Sequence, residues 1–219
     1  MINKITVNEA LEKIPLETPS GIKASCVLKC YPETPVFSDG EAVVILFGER
    51  AFLFGEPLDE DELLVFLRFN SVKSVEGGII SGEKRTFSVM ESKGGNREAE
   101  QVKIEPVARL IAKTFSVDFE ELYSDLCRRV NNNVGAVFGD SVSAAALHKV
   151  ENINLLWGVS VTESERGKEK GSKIVEKALN CASVRVLAVC EEALEPFYQK
   201  CGFKKTGSVF EINIEEIEN

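Results

Sequence analysis

A strand that runs through a charged, glycine-bearing loop into an amphipathic helix restricts a chain to few architectures. Residues Ile153–Leu179 (INLLWGVSVTESERGKEKGSKIVEKAL) have that pattern. Ile153, Leu155, Trp157, Val159 and Val161 recur at a period of two, with Leu156 apolar on the other face, which reads as a well-buried strand. Ile174, Val175, Ala178 and Leu179 form an i, i+1, i+4, i+5 stripe, which reads as one face of a helix. Between them lies TESERGKEKGS, with Gly167 and Gly171 four residues apart. Such a junction aims several backbone N–H groups, and the positive end of a helix dipole, at one point. That geometry binds phosphate.

Two nucleotide fingerprints fail on this stretch. The dinucleotide pattern G-x-G-x-x-G needs a third glycine, and the P-loop needs G-x-x-x-x-G-K-[ST], whereas Gly171 is followed by Ser172. The loop is open to two readings: an ordinary strand–helix connection with turn glycines, or an anion site. It resembles the pyrophosphate loop of the GNAT superfamily, the acyl-CoA-dependent N-acyltransferases. That family's pattern is roughly V-x-P-x-x-R-G-x-G-x-G/A. Here Val161, Arg166, Gly167 and Gly171 fit it, while Glu163 stands for the common Pro and Glu169 for a common Gly.

A second segment carries the same resemblance. Ser183–Cys190 (SVRVLAVC) reads as a strand from its β-branched content. A helical stripe of Ala193, Leu194, Phe197 and Tyr198 follows, then a glycine turn into a last strand. Pro196–Phe203 (PFYQKCGF) is similar to the family's F/L-Y-x-K-x-G-F block. The two signatures stand in the family's order and at about its spacing.

The resemblance implies an α/β fold built on a mixed sheet, with acetyl-CoA as cosubstrate and no metal. It implies that amides of Arg166, Gly167, Lys168, Glu169, Lys170, Gly171 and Ser172 hold the pyrophosphate. Val159, Ser160 and Val161 would lie beside the pantetheine, where the neighbouring strand splays away. Tyr198 would protonate the departing thiolate; its other reading is a core aromatic on an amphipathic helix. Glu151, at the start of the central strand, is a candidate base relaying through water, or else a solvated turn residue. Asn152 and Asn154 are candidates for lining the acceptor groove. His148 reads as structural and Trp157 as core.

Composition narrows the partners. The 219 residues carry a formal net charge of −9, with 44% hydrophobic and 28% charged residues. That balance argues against nucleic acid and against a polybasic membrane surface, and it suits a cationic amine. Met1–Leu16 mixes Lys4, Glu9, Glu12 and Lys13 into its apolar residues, and no apolar run reaches about 18 residues, so a cytoplasmic chain is expected. The six cysteines include Cys26 and Cys30 in a C-x-x-x-C pair, and the one histidine is His148. No four-ligand zinc spacing results, and buried reduced thiols are expected.

The chain divides at about residue 84. Residues 1–84 read as a smaller N-terminal α/β domain: a hairpin Ala42–Phe54 about Gly48-Glu49-Arg50, an acidic-headed helix after Asp59, and a strand Val72–Val75. That order suits either a degenerate half-copy of the C-terminal unit or an unrelated cap; no R-G-x-x-x-G loop opens its helix, so no CoA binding is expected there. Residues 85–219 are expected to form the GNAT-like domain. Its elements would be a strand Arg85–Met90, an exposed loop Glu91–Glu100, a helix from Pro106, a helix capped by Asp118, and a hairpin over Val134–Leu147 leading into Ile153–Val161.

Glu169 bears most on activity. Position 169 is expected to be helical, which makes bulk and charge, not dihedral strain, the issue. A carboxylate about 4 Å from a phosphate charge costs on the order of 4 kcal/mol at an effective dielectric of 20. Arg166, Lys168, Lys170 and Lys173 oppose it. Two functions are therefore carried forward. One is an N-acetyltransferase moving an acetyl (acyl) group to a primary amine of a small molecule or peptide, as a monomer or homodimer. The other is a GNAT-fold ligand-binding or interaction module with weakened CoA binding and no turnover.

Overall fold

The structure, a computed structural model, describes residues 1–78, 80–81, 83–97 and 102–214. It has two compact units: Met1–Phe87 with Ser208–Asn219, and Ser88–Gly207.

The first unit begins with β1 (Asn3–Lys4), α1 (Val7–Lys13) and α2 (Pro19–Cys30). Thr6 and Glu9 form a reciprocal capping box at α1, and Thr18 caps α2 with Pro19 at its first position. Sequence periodicity does not show α2, because ten of its twelve residues are buried and no polar face marks the helical repeat. Next come β2 (Val36–Asp39), β3 (Ala42–Phe47) and β4 (Arg50–Phe54), the last two joined by a tight turn with Gly48 at φ +61°. Asp59 then caps α3 (Glu60–Phe69), and β5 (Ser74–Glu76) follows. Strands β1 to β4 pair antiparallel in sequence, and β5 pairs parallel to β4.

The other neighbour of β5 comes from the far end of the chain. In β11 (Lys204–Asn213), Glu211, Ile212 and Asn213 pair antiparallel with Glu76, Val75 and Ser74. Ile212 and Ile214 are buried with Leu53, Leu63, Leu67 and Val75. The sequence reading assigns all of 85–219 to one domain, whereas Ile212 and Ile214 pack into the first unit because their apolar side chains complete that core.

The second unit opens with β6 (Lys84–Ser92), which runs two residues beyond the expected strand and takes Glu91 and Ser92 from the expected loop. Gly95 N–H donates to the Leu179 carbonyl, and residues 98–100 of that loop lie outside the described residues. Helices α4 (Ile104–Phe115) and α5 (Phe119–Asn131) follow, α5 capped by Asp118 as expected. Then come β7 (Gly135–Gly139), β8 (Ser143–Val150), β9 (Ile153–Val161), α6 (Lys170–Asn180), β10 (Arg185–Cys190) and α7 (Glu195–Lys200). A 3₁₀ turn at Glu192–Leu194 shortens the expected helix and leaves Leu194 exposed.

Strands β7, β8 and β9 pair antiparallel, β10 pairs parallel to β9, and β6 pairs antiparallel to β10. Each unit therefore runs two helices, three antiparallel strands, a helix and a parallel strand. As far as the parallel strand the two units have the same order of elements, and α7 then follows in the second. In the second unit α6 and α7 pack with Met90, Phe138, Leu156, Val186 and Ala188. A separate core joins α4 and α5 to Val137, Ala144 and Ala146. None of the six cysteines is in a disulfide, and Cys26, Cys30 and Cys190 are buried. Among the described residues no helix is long and apolar enough to cross a membrane.

Candidate active site

The site begins where a ladder ends. The parallel pairs between β9 and β10 run from Ile153↔Arg185 to Leu156↔Ala188 and stop there. Strand β9 continues to Val161, still paired with β8 at Ser143. The last residues of β10, Val189 and Cys190, keep their pairing to Val89 and Ser88 of β6 on the other edge. The two strands thus diverge, and the edge of Trp157–Val161 that faced β10 has no strand partner among the described residues. At about 3.3 Å per residue this edge is roughly 16 Å long.

A bulge lies in the same stretch, in the ladder with β8. Ala146 pairs with Trp157 and Ala144 with Ser160, so Gly158 and Val159 oppose the single residue Ala145. Gly158 has φ +65°, and a Cβ there would fall 2.8 Å from the Ile111 Cδ1 of α4. Ser160 is buried and its Oγ donates to the Gly158 carbonyl at 3.1 Å. The bulge has a sequence signal, a glycine inside a strand pattern, yet Gly158 is not among the residues singled out above.

Beyond Val161 the chain makes a 3₁₀ turn, Glu163–Glu165, and then Gly167 takes φ +77°. Arg166 Nε donates back to the Val161 carbonyl at 3.4 Å, and Lys168 pairs with Glu165 at 3.0 Å. Helix α6 starts at Lys170 with no side-chain cap. Its first intrahelical bond runs from Lys173 N–H to the Glu169 carbonyl at 3.0 Å, so the N–H groups of Lys170, Gly171 and Ser172 have no intrahelical acceptor. Ser172 Oγ is spent on the Glu169 carbonyl. Gly171 packs close: a Cβ would meet the Phe197 ring at 3.3 Å and Val161 Cγ2 at 3.6 Å.

Glu169 corrects the expectation above. It sits in the left-handed region at φ +60°, ψ 7°, where a side chain costs about 1–2 kcal/mol relative to glycine. The position therefore favours glycine for its dihedral as well as for space. Its carboxylate is exposed, with Lys173 Nζ at 4.0 Å.

Tyr198 stands on α7. Its ring is buried, edge-on to Phe197 at 5.1 Å and to Phe203 at 5.5 Å, in the core that holds Leu156 and Ala188 of the last β9–β10 rung. Burial, with the neighbouring Cys190 and Cys201, pushes the phenol above its ordinary value and keeps it protonated. Burial likewise raises the Cys190 thiol.

The structure sets Gly171 of the loop beside Val161 and Phe197, and it packs Val159 on the core that holds Tyr198. It does not bring Glu151 to them. Glu151 is exposed in the turn between β8 and β9, seven residues and roughly 20 Å of strand before Gly158. Asn154 is buried within β9, paired to Val186 and Lys149. His148 stacks on Trp157 at 4.9 Å, and Arg129 Nη1 lies 3.5 Å from its Nδ1. Among the described residues no group of three or more His, Cys, Asp or Glu is placed to hold a metal.

The corresponding place in the first unit is built differently. Asp59 caps α3, and Glu60, Asp61 and Glu62 fill its first turn. After the last rung, Phe52↔Glu76, Gly77 and Gly78 pack against Leu53, so closely that a Cβ on Gly78 would fall 2.3 Å from its side chain.

No family model and no curated protein matches this sequence. Solved structures do match. A GNAT-family acetyltransferase from Colwellia psychrerythraea superposes with a TM-score of 0.58 at 11% identity, over 97% of this chain and 99% of its own. A GCN5-related N-acetyltransferase from Sphaerobacter thermophilus gives 0.59 at 12% identity, over 98% and 95%. This chain has a GNAT fold. A tandem GNAT protein from the clavulanic acid biosynthesis pathway gives 0.56 at 12% identity, over 100% and 99%. The likeness covers both units.

Proposed function

We infer that residues 88–207 bind an acyl-CoA and transfer its acyl group, acetyl in the simplest case, to a primary amine of a small molecule or peptide. One observation carries this reading: a strand edge left free after Leu156↔Ala188 leads directly to an uncapped helix N-terminus. A long, thin ligand with amides along its length and a doubly charged group at one end matches that order. The amides of Val159–Val161 take the pantetheine amides, and the N–H groups from Arg166 to Ser172 take the pyrophosphate.

In the reaction the neutral amine nitrogen attacks the thioester carbonyl carbon, and the C–S bond breaks. The sulfur leaves with its bonding pair and takes a proton from Tyr198 Oη. The nitrogen loses its extra proton to water, and Tyr198 is reprotonated from solvent. Burial keeps Tyr198 in its protonated form, which a donor needs, and also makes it a weaker acid, so the transfer relies on the charge developing on sulfur. Fixed backbone amides hold the ligand at little reorganisation cost. Glu151 has no part in this scheme, standing in the turn at the opposite end of β9.

A second reading rests on Glu169. A side chain in a left-handed position at the anion-binding end of α6 weakens the site by charge, and a chain bearing it suits ligand binding without turnover. Calorimetric titration of acetyl-CoA and free CoA into wild type and Glu169→Gly separates the two. Wild-type binding, followed by thiol release when primary amines are added, supports transfer. Binding gained only in Glu169→Gly supports the second reading. Silence from both variants overturns both.

A further inference from the structure

Helix α7 is six residues long and carries Tyr198 as its fourth. A helix this short has no stability of its own, so its orientation comes from what holds its two ends. At the C-terminal end the Phe203 N–H donates to the Tyr198 carbonyl at 3.0 Å, and Gly202 at φ +90° turns the chain into β11. The N-terminal end is tied by one side chain. Glu195, the first residue of α7, accepts on a single oxygen, Oε1, from Ser88 Oγ of β6 and from Lys205 Nζ of β11, the latter at 2.6 Å. Its side chain is 15% exposed, and Ser88 is buried.

The position of this tie is specific. Ser88 stands opposite Cys190 in the β6–β10 ladder, and Cys190 is the last residue of β10, past the rung where β9 departs. Glu195 and Tyr198 are three apart and so share a helix face. Lys205, then Ser88, hold the Glu195 carboxyl below its ordinary range, and Glu195 raises the Lys205 ammonium, so both remain charged across the neutral range. No sequence pattern reveals this, since Ser88 and Glu195 lie 107 residues apart.

We propose that Glu195, clamped by Ser88 and Lys205, is the positioning residue that fixes α7 so that the Tyr198 hydroxyl meets the ligand sulfur at the mouth of the β9–β10 divergence. This rests on the acyl-CoA reading above. Glu195 itself touches no reacting atom.

Free CoA and tyrosine labelled with ¹³C at Cζ provide the test. The chain has three tyrosines, and the Tyr198 resonance is the one lost in Tyr198→Phe. Saturating wild type with CoA should move that resonance. In Glu195→Gln, CoA should bind with the wild-type Kd while the Tyr198 shift is lost or at least halved. Ser88→Ala and Lys205→Gln cut one arm each and should give intermediate shifts, which keeps the test alive should Glu195→Gln fold poorly. A full shift in all three variants overturns the positioning role and leaves the acyl-CoA reading intact. A wild-type Tyr198 resonance indifferent to bound CoA overturns both the acid role and its positioning. No CoA binding by wild type overturns the reading at its base.

Discussion

Leu156 and Ala188 form the last rung between β9 and β10, and everything chemically distinctive about the second unit lies beyond it. Behind that rung both strands are buried ladder. Past it, β9 keeps one partner, bulges at Gly158 and ends at a helix whose first N–H groups are uncapped.

Glu169→Gly should tighten CoA binding by about threefold to fivefold, the range of an exposed charge interaction. Glu169→Gln should give most of that gain, because it removes the charge and keeps the backbone. Only the glycine variant should also raise the thermal midpoint, by relieving a left-handed side chain at φ +60°. Calorimetry and thermal unfolding of both variants check this.

Tyr198→Phe should lower kcat for thiol release by about 10²–10⁴-fold with little change in KM for acetyl-CoA. The ring contacts to Phe197 and Phe203 survive, so the fold should too. The wild-type pH profile carries a further mark. Because the phenol is raised above its ordinary value near 10, its acid form persists and kcat should hold through that pH. An alkaline fall centred near 10 would argue for a different acid.

Gly158→Ala adds a Cβ 2.8 Å from Ile111 Cδ1 at a residue with φ +65°. Unfolding by urea should show a loss of about 1–3 kcal/mol. Adding Ile111→Val removes the clashing methyl but not the dihedral strain, so recovery should be partial.

Ile212→Ala should destabilise by about 2–5 kcal/mol although the residue lies outside every signature segment. Its side chain is 1% exposed, and Ile212 pairs with Val75 in a core that includes Leu53, Leu63 and Leu67. A loss under 1 kcal/mol would mean that the terminal strand contributes little to the first unit.

The Glu195–Lys205 pair should leave a mark on stability against pH. The Glu195 carboxyl is lowered on folding, so its contribution is present above the ordinary value of 4.5 and is lost as pH falls through the depressed one. The Lys205 ammonium is raised, so its contribution is present below 10.5 and is lost as pH rises through the elevated value. Glu195→Gln should flatten the acid limb of the midpoint-versus-pH curve, and Lys205→Gln the alkaline limb.

Much of the second unit was legible in the sequence because its signals are local. Alternation in Ile153–Val161, the stripe of Ile174, Val175 and Ala178, and the Asp118 cap each act within a few residues, and each element forms where they stand. Helix α2 was not legible, since burial on nearly all sides removes the polar face that gives a helix its period. Both readings of Glu151 stayed open, and its exposed place in the turn fits the solvated one, because a residue's place in sequence beside a strand does not say which end of that strand the site occupies.

The sequence by itself determined the strand–loop–helix junction, the order of elements in the second unit and the residue types at the turn before α6, all set by neighbours within a turn or a strand length. Tertiary structure alone decided three things. It stopped the β9–β10 ladder at Leu156, gave Ile212 and Ile214 to the first unit, and joined Ser88 and Lys205 on one oxygen of Glu195. Each of these is a pairing between residues far apart in the chain, chosen by which surfaces bury together once the local elements exist. No short-range pattern encodes that choice.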